Sequence, residues 1–307
     1  MIEITYNGVN ITDGVSVNKV YHDMYAEGRT DTLNILFNDN EHVWDGWGVS
    51  KDDKISVSFD TIKTGVMFVH KATPKNGLFE IVATSAPSSS RNRKSKAWRK
   101  VRLLGIGKEI ADNHGLKFES YGVEDVHYEY ILQQNESDFA FLHRRCILEG
   151  CAFLVYDEKL VMYSQRYIEG LTAGESIYIG SDSDYEYEDK SGQLFSSCTV
   201  ERGAFKGSYE ADNGAYKDFI PSFDFSVNSN EEAGRFAKNL LRMANKNAYT
   251  GYVYSNILVG YAAASMAKLE NERAPSWNGN VFLTHVRNDY GKGLSKIWFR
   301  RPLEGGY

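Results

Sequence analysis

The chain has few of the features that mark secreted, membrane or metal-dependent proteins. Its three cysteines, Cys146, Cys151 and Cys198, are an odd number without framework spacing. They argue against a disulfide scaffold and for reduced thiols in a cytoplasmic compartment. No apolar run approaches the roughly 18 residues of a membrane span. The first residues, Met1 to Tyr6, have no basic region or apolar stretch, so no signal peptide is expected. Positive charge is not in excess: the formal net charge is -6, which gives no general case for nucleic-acid binding. The seven histidines are scattered and show no His-Glu-x-x-His spacing, and neither a Gly-x-Ser-x-Gly elbow nor a phosphate loop is present.

Prolines number only five, against 27 glycines and 20 tyrosines, a balance that favours β-structure. Over the first 85 residues Leu33, Ile35 and Phe37 alternate with polar neighbours, as do Ile55, Val57 and Phe59. Both runs have the period-two signature of half-buried strands. Turn residues separate them at Asn38-Asp39-Asn40, Lys51-Asp52-Asp53 and Pro74-Lys75-Asn76-Gly77. A small antiparallel barrel or sandwich is predicted.

Basic residues then concentrate between Arg91 and Arg102, with Trp98 among them. The plain reading is a solvated inter-domain loop, or one docking an acidic neighbouring subunit. The alternative is single-stranded nucleic acid stacked on Trp98. Residues 104–114 read as a helix closed by Gly115. Asn135 is a candidate N-cap, with Glu136 and Asp138 in the first turn and Phe139, Leu142 and Cys146 forming one apolar stripe. Gly150 ends that helix, and a hairpin follows, 153–156 and 160–163 around Asp157-Glu158-Lys159. Strands resume beyond 166, interrupted by one helix near 230–247. Ser229 and Glu232 form its capping box, and Phe236, Ala237, Leu240 and Ala244 line one face. Strand-like runs cover 251–259, 281–290 and 294–300.

Two hairpin-like blocks echo each other. Val66-Met67-Phe68-Val69-His70 precedes Gly77-Leu78-Phe79-Glu80-Ile81, and Val281-Phe282-Leu283-Thr284-His285 precedes Gly293-Leu294-Ser295-Lys296-Ile297. Chance similarity between hairpins is one reading; the N-terminal and C-terminal parts as diverged copies of one β-barrel is the other.

The run Ile131-Leu132-Gln133-Gln134-Asn135-Glu136-Ser137-Asp138-Phe139, continuing through Glu149-Gly150 to a hairpin, resembles the phage late control protein D family. That family includes baseplate hubs of T-even phages, hubs of defective prophage tails and tailocins, and the N-terminal part of type VI secretion spike proteins. Weaker likenesses sit at Gly107 to Gly115 and at Trp277 to Phe299. The resemblance spans most of the chain, but only the central motif is specific. No needle-like repeat follows residue 307, so a stand-alone hub is expected, with the spike supplied by another chain.

The resemblance implies an α+β, mainly β fold: two tail-tube-like antiparallel β-barrels with a small α+β module between them. Residues 1–88 would form the first barrel, 89–104 a basic linker, 105–165 the module and 166–307 the second barrel. Residues 166–190 are also able to complete the first. It further implies a structural homotrimer adapting a sixfold tail tube to a threefold spike in a contractile injection system. Its partners would be the central spike protein, the tail tube protein, the baseplate wedge proteins and the tape measure protein. No membrane and no specific nucleic acid are expected among them. The particle's baseplate, assembled in the bacterial cytoplasm, would be its location.

No enzyme activity, cofactor or metal is expected. The alternation Asp182, Asp184, Glu186, Glu188 lacks the spacing of a calcium loop and reads as one face of a solvated or lumen-lining strand. Cys146-x4-Cys151 has no partner pair. Glu136 and Asp138 read as helix caps rather than a glycosidase dyad. The competing functions are a tail-associated peptidoglycan hydrolase and, from the many aromatic residues, a carbohydrate-binding β-protein.

Overall fold

The computed structural model describes residues 2–180 and 183–303. The N-terminal part is nearly all strand: β1 (Ile2–Tyr6), β2 (Val9–Asn10), β3 (Ser16–Tyr25), β4 (Thr32–Asn38), β5 (Lys54–Phe59), β6 (Ile62–Lys63), β7 (Met67–Lys75) and β8 (Leu78–Thr84), with a short helix α1 (Val43–Trp47) between β4 and β5. Leu33, Ile35 and Phe37 of β4 and Phe79, Ile81 and Ala83 of β8 all point into one core, as period-two alternation requires. Helix α1 adds Trp44, whose ring stacks on Phe79 at 5.3 Å and lies 4.4 Å from Phe37. The strands pair in the order β3–β4–β8–β7–β5–β1.

The middle begins with β9 (Arg93–Arg102), α2 (Leu103–Asn113), β10 (Lys117–Tyr121) and β11 (His127–Ser137). It continues with α3 (Asp138–Leu148), β12 (Cys151–Tyr156), β13 (Lys159–Ser164) and α4 (Gln165–Glu169). β9 and β11 form a two-stranded antiparallel ribbon, and β10–β13–β12 a three-stranded sheet. Where the sequence read a solvated loop between Arg91 and Arg102, the chain is mostly strand. A ribbon with one apolar strip, Trp98 and Ile131, needs few hydrophobic residues, so its charged majority hides the pattern. The N-cap of α3 is Ser137, whose hydroxyl accepts from Ala140 N–H at 3.3 Å. Asn135 instead occupies a bulge in β11 at φ +47°, which carries the strand two residues beyond the expected helix start.

The last part contains β14 (Glu175–Ile179), β15 (Tyr185–Asp189), β16 (Phe195–Arg202), β17 (Phe205–Glu210), β18 (Lys217–Phe219) and α5 (Asn230–Asn245). After it come β19 (Tyr249–Asn256), β20 (Met266–Asn271), β21 (Gly279–Asp289) and β22 (Leu294–Arg300). Ser229 caps α5 by accepting from Glu232 N–H at 3.1 Å, and the Glu232 carboxylate reaches back to Asn228 N–H. Residues Phe236, Ala237 and Leu240 join the core of α2, α3 and the ribbon. α5 also lies on β16 and β17, so closely that a Cβ on Gly207 would stand 2.2 Å from Gly234 N. The stretch 166–190, open on sequence grounds to either half, supplies β14 and β15, which pair with β20 and β19.

The two outer parts share one strand order, because the second pairs as β15–β19–β22–β21–β20–β14. A row of facing residues Val20–Ile35–Ile81–Ala72 crosses four strands of the first half. Tyr185–Val253–Ile297–Val286 crosses the same four of the second. The long hairpin strands carry a bulge at matching places, between Val69 and Lys71 and between Leu283 and His285. The residues that bond to those bulged strands, Asp52 and Ala264, both have left-handed φ, +67° and +63°. The echoed blocks are thus the same hairpin in both halves, with the first strand shifted by one residue from the sequence alignment.

Neither half closes into a barrel, contrary to the double β-barrel expected. β3 gives one edge to β4 and residues 21–25 of the other to β21, while β1 pairs with β2 and β5 and not with β3. β21 divides an edge, residues 279–282 meeting β20 and 285–289 meeting β3. One open fourteen-stranded sheet results among the described residues. Alternation fixes which face is buried but leaves open which edges meet.

Candidate functional site

The central motif builds a clamp. Asp138 accepts hydrogen bonds from Lys94 Nζ at 2.8 Å, Gln133 Nε2 at 3.0 Å and His114 Nε2 at 3.0 Å. Burial pushes this carboxyl up, but those donors outweigh it and hold Asp138 well below the usual carboxylate range. Gln133 also accepts from Trp98 Nε1 at 3.3 Å, and Trp98 stacks on Phe141 at 5.7 Å. One carboxylate thereby ties β9, the C-terminal cap of α2, β11 and α3 together. Glu136 forms a two-point pair with Arg144, through Nε at 2.9 Å and through Nη2. These two acids, weighed on sequence as caps or a dyad, are each engaged by cations of their own module.

The Glu149-Gly150 end of the motif receives α5. Glu149 accepts from Arg235 Nε at 2.7 Å and Nη2 at 3.1 Å, and from the Tyr128 hydroxyl. Gly150, at φ +66°, lies where a Cβ would meet Asn239 Oδ1 at 2.6 Å, and Asn239 donates to Leu148 O at 2.9 Å. Cys146 and Cys151 are buried beside this junction, and burial pushes the Cys146 thiol up. Burial also raises Cys198, to about 11.

A buried ionic hub joins all three parts of the chain. Glu169 of α4 accepts from Arg242 of α5 at 2.5 Å and from Arg300 of β22 at 2.5 Å. Arg300 and Glu169 side chains are 1% and 5% exposed. Glu27, from the β3–β4 loop, pairs with Lys246 and accepts from Gln165 Nε2 at 2.6 Å. A second link is the β12–β13 turn, Asp157-Glu158, with both residues at positive φ as a type I′ turn requires. Its Asp157 carboxylate accepts from Val66 N–H at 3.1 Å, and Glu158 pairs with Lys54 at 2.7 Å.

The basic run is largely engaged within the chain. Lys94 meets Asp138, Lys96 meets Glu109 and lies 3.6 Å from the Trp98 ring, and Arg102 donates to Asp125 O at 2.7 Å. Trp98 is 2% exposed and therefore cannot stack on a nucleic acid. The acidic residues Asp184, Glu186 and Glu188 are exposed on one face of the edge strand β15 and just before it; Asp182 lies outside the described residues. Among the described residues no group of three or more His, Cys, Asp or Glu could hold a metal ion.

Sequence reasoning missed a polar-aromatic face opposite the core of the second half. Tyr25, His285 and Trp298 stack in a row at 4.4 and 4.1 Å. Lys296 Nζ sits 3.7 Å from the Tyr252 ring and 4.8 Å from that of Trp298. Asp23 accepts from His285 Nε2 at 2.6 Å and Arg287 Nε at 2.8 Å across the β3–β21 ladder. The alternation of Lys296 and Trp298 with Ser295, Ile297 and Phe299 carried the signal.

No family model and no curated protein matches the chain. Solved structures do. A 43 kDa tail protein of prophage MuSo2 from Shewanella oneidensis aligns with a TM-score of 0.75 at 12% identity, covering 98% of each chain. A tail protein from Neisseria meningitidis MC58 aligns at 0.72 and 12% identity, over 97% of this chain and 95% of the other. The E. coli c3393 protein is described as a type VI secretion component with structural similarity to the T4 tail proteins gp27 and gp5. It aligns at 0.61 and 13% identity, over 99% of this chain and 78% of its own. The chain has the fold that these phage tail and type VI secretion proteins share.

Proposed function

We propose that the protein is a structural baseplate hub of a phage-like contractile tail, a homotrimer that adapts a sixfold tail tube to a threefold spike. The observation that carries this reading is the pair of halves with one strand order on a single sheet. Three such chains present six similar units to a tube above while remaining threefold below, and closed cyclic symmetry is the common solution for such assemblies. The fold relatives are tail proteins and a secretion component, which supports the same setting.

The mechanism is geometric. Force from sheath contraction enters at the tube-facing halves and reaches the spike through the buried hub around Glu169 and Glu27 and through the Asp157-Glu158 turn, which bind the halves to the middle module. The protein acts without catalysis, and its partners are the spike, the tube and the baseplate wedge proteins, with the tape measure protein passing through. Native mass spectrometry of the full chain tests the reading. The expected species has three times the 34.7 kDa chain mass, and a monomer at micromolar concentration would overturn it. A zymogram on peptidoglycan is expected to stay blank.

A further inference from the structure

Among the free ladder edges of the sheet in the described residues are two for which the repeat says what each should meet. In the second half, residues 285–289 of β21 pair with β3 of the first half. Their counterparts in the first half are 71–75 of β7, because Ala72 and Val286 occupy the same place in the two rows of facing residues. β5 reaches only Met67 and Phe68 of β7, so the outer edge beyond them has no ladder. The counterpart of β3 is β15, with Val20 matching Tyr185, and β15 is one open end of the sheet.

Carrying the β3–β21 register across fixes the pairing. Val286 faces Met24, four residues beyond Val20, so Ala72 would face Asp189, four beyond Tyr185. Thr73 then faces Glu188, Pro74 faces Tyr187 and Lys75 faces Glu186. Within one chain β7 and β15 do not pair, so the partner is a second copy. The charges agree. Lys75 lies opposite Glu186 and Lys71 lies diagonal to Glu188, both within reach of cross-strand attraction. Lys71 faces Lys190, whose charge its own Glu188 already offsets at 2.7 Å. The in-chain ladder also carries a cross-strand charge pair, Arg287 with Asp23, at the rung that corresponds to Thr73 and Glu188. Pro74 withholds one donor, and with the lysines around it keeps the free edge from pairing indiscriminately.

We propose that β15 of one chain adds to the outer edge of β7 of the next, Thr73 opposite Glu188, so that a head-to-tail β-ladder repeats the internal β3–β21 junction around the ring. This rests on the homotrimer reading and assigns the acidic stripe a role: it is the socket for the basic edge of a neighbour. A contact of this head-to-tail kind closes into a ring when its rotation permits.

A Thr73→Cys/Glu188→Cys double variant of the full chain tests it. These positions form a non-hydrogen-bonded rung, where the Cα separation of about 4.5 Å suits a disulfide, and the native cysteines are buried. Oxidation is expected to give a covalent three-chain ring on a non-reducing gel, while each single variant gives none. A native trimer that does not cross-link overturns this interface and leaves the hub reading standing; a monomer that does not cross-link overturns both. Independently, Lys75→Glu is expected to weaken assembly roughly tenfold, the factor that about 1.4 kcal/mol represents. Adding Glu186→Lys in the same chain is expected to restore it, which a folding defect would not allow. No recovery counts against the register.

Discussion

The two halves of the sheet agree in backbone and disagree in filling. Both run through the same strand order, with the same bulge and the same left-handed residue beside it. The first half fills its core with Trp44 from a helix placed between β4 and β5. The second has Tyr261 in its core, covered by Tyr187 and Trp277, which stack on each other at 4.7 Å. Their outermost strands even run in opposite senses: β1 is antiparallel to β5, whereas β14 is parallel to β20. The long stretch between β15 and β19 leaves the sheet altogether and completes the core of the middle module. What the repeat preserves is therefore hydrogen-bond geometry, and side chains have been free to change wherever volume was kept.

The comparison breaks most severely at the ionic hub, which holds β22 but no strand of the first half. Glu169→Ala leaves Arg242 and Arg300 buried without their shared carboxylate and should cost about 3–5 kcal/mol, measured by urea denaturation. Matching truncations sharpen it. Ile81→Ala and Ile297→Ala sit on the same rung, both fully buried, and each should cost about 2–4 kcal/mol. Losses that differ by more than about 2 kcal/mol, beyond the usual spread of such sites, would show that the halves are not energetically equivalent.

The module between them responds to acid. Because Asp138 titrates below its unfolded value of about 3.9, its contribution is present above that pH and is lost as pH falls below it. Asp138→Asn should cost about 1.5–3 kcal/mol at neutral pH and flatten the acid limb of a stability-versus-pH curve below about pH 4. The smallest effects come at the paired left-handed residues. Ala264→Gly should stabilise by roughly 1 kcal/mol, since glycine adopts that φ without penalty. Asp52→Gly should not, because Asp52 accepts from Ser88 N–H at 2.8 Å. Thermal melts of the two variants should move in opposite directions.

The sequence exposed local order well. Leu33, Ile35 and Phe37 declared their strand, Ser229 and Glu232 declared α5, and the echoed hairpins declared a repeat. Non-local choices stayed hidden. The β3–β21 pairing that merges the two halves into one open sheet joins residues far apart in the chain, and nothing in the period of either strand names its neighbour. The ribbon strand β9 was masked by its own charge. Asn135 looked like a helix cap because a bulge residue at positive φ and a cap draw on the same amino acids. The motif around Asp138 was visible as a pattern, but its clamping role depends on Lys94 and His114, which approach from two other elements.

The ladder between β3 and β21 also sets a timetable for biosynthesis. Asp23 and Arg287 are separated by 264 residues. At translation rates of about 5–20 residues per second, β3 leaves the ribosome on the order of 10–50 s before its partner exists. Throughout that interval the nascent first half carries β3 with one edge unpaired, and whatever shields that edge from neighbouring chains must let go only when the β21–β22 hairpin has emerged.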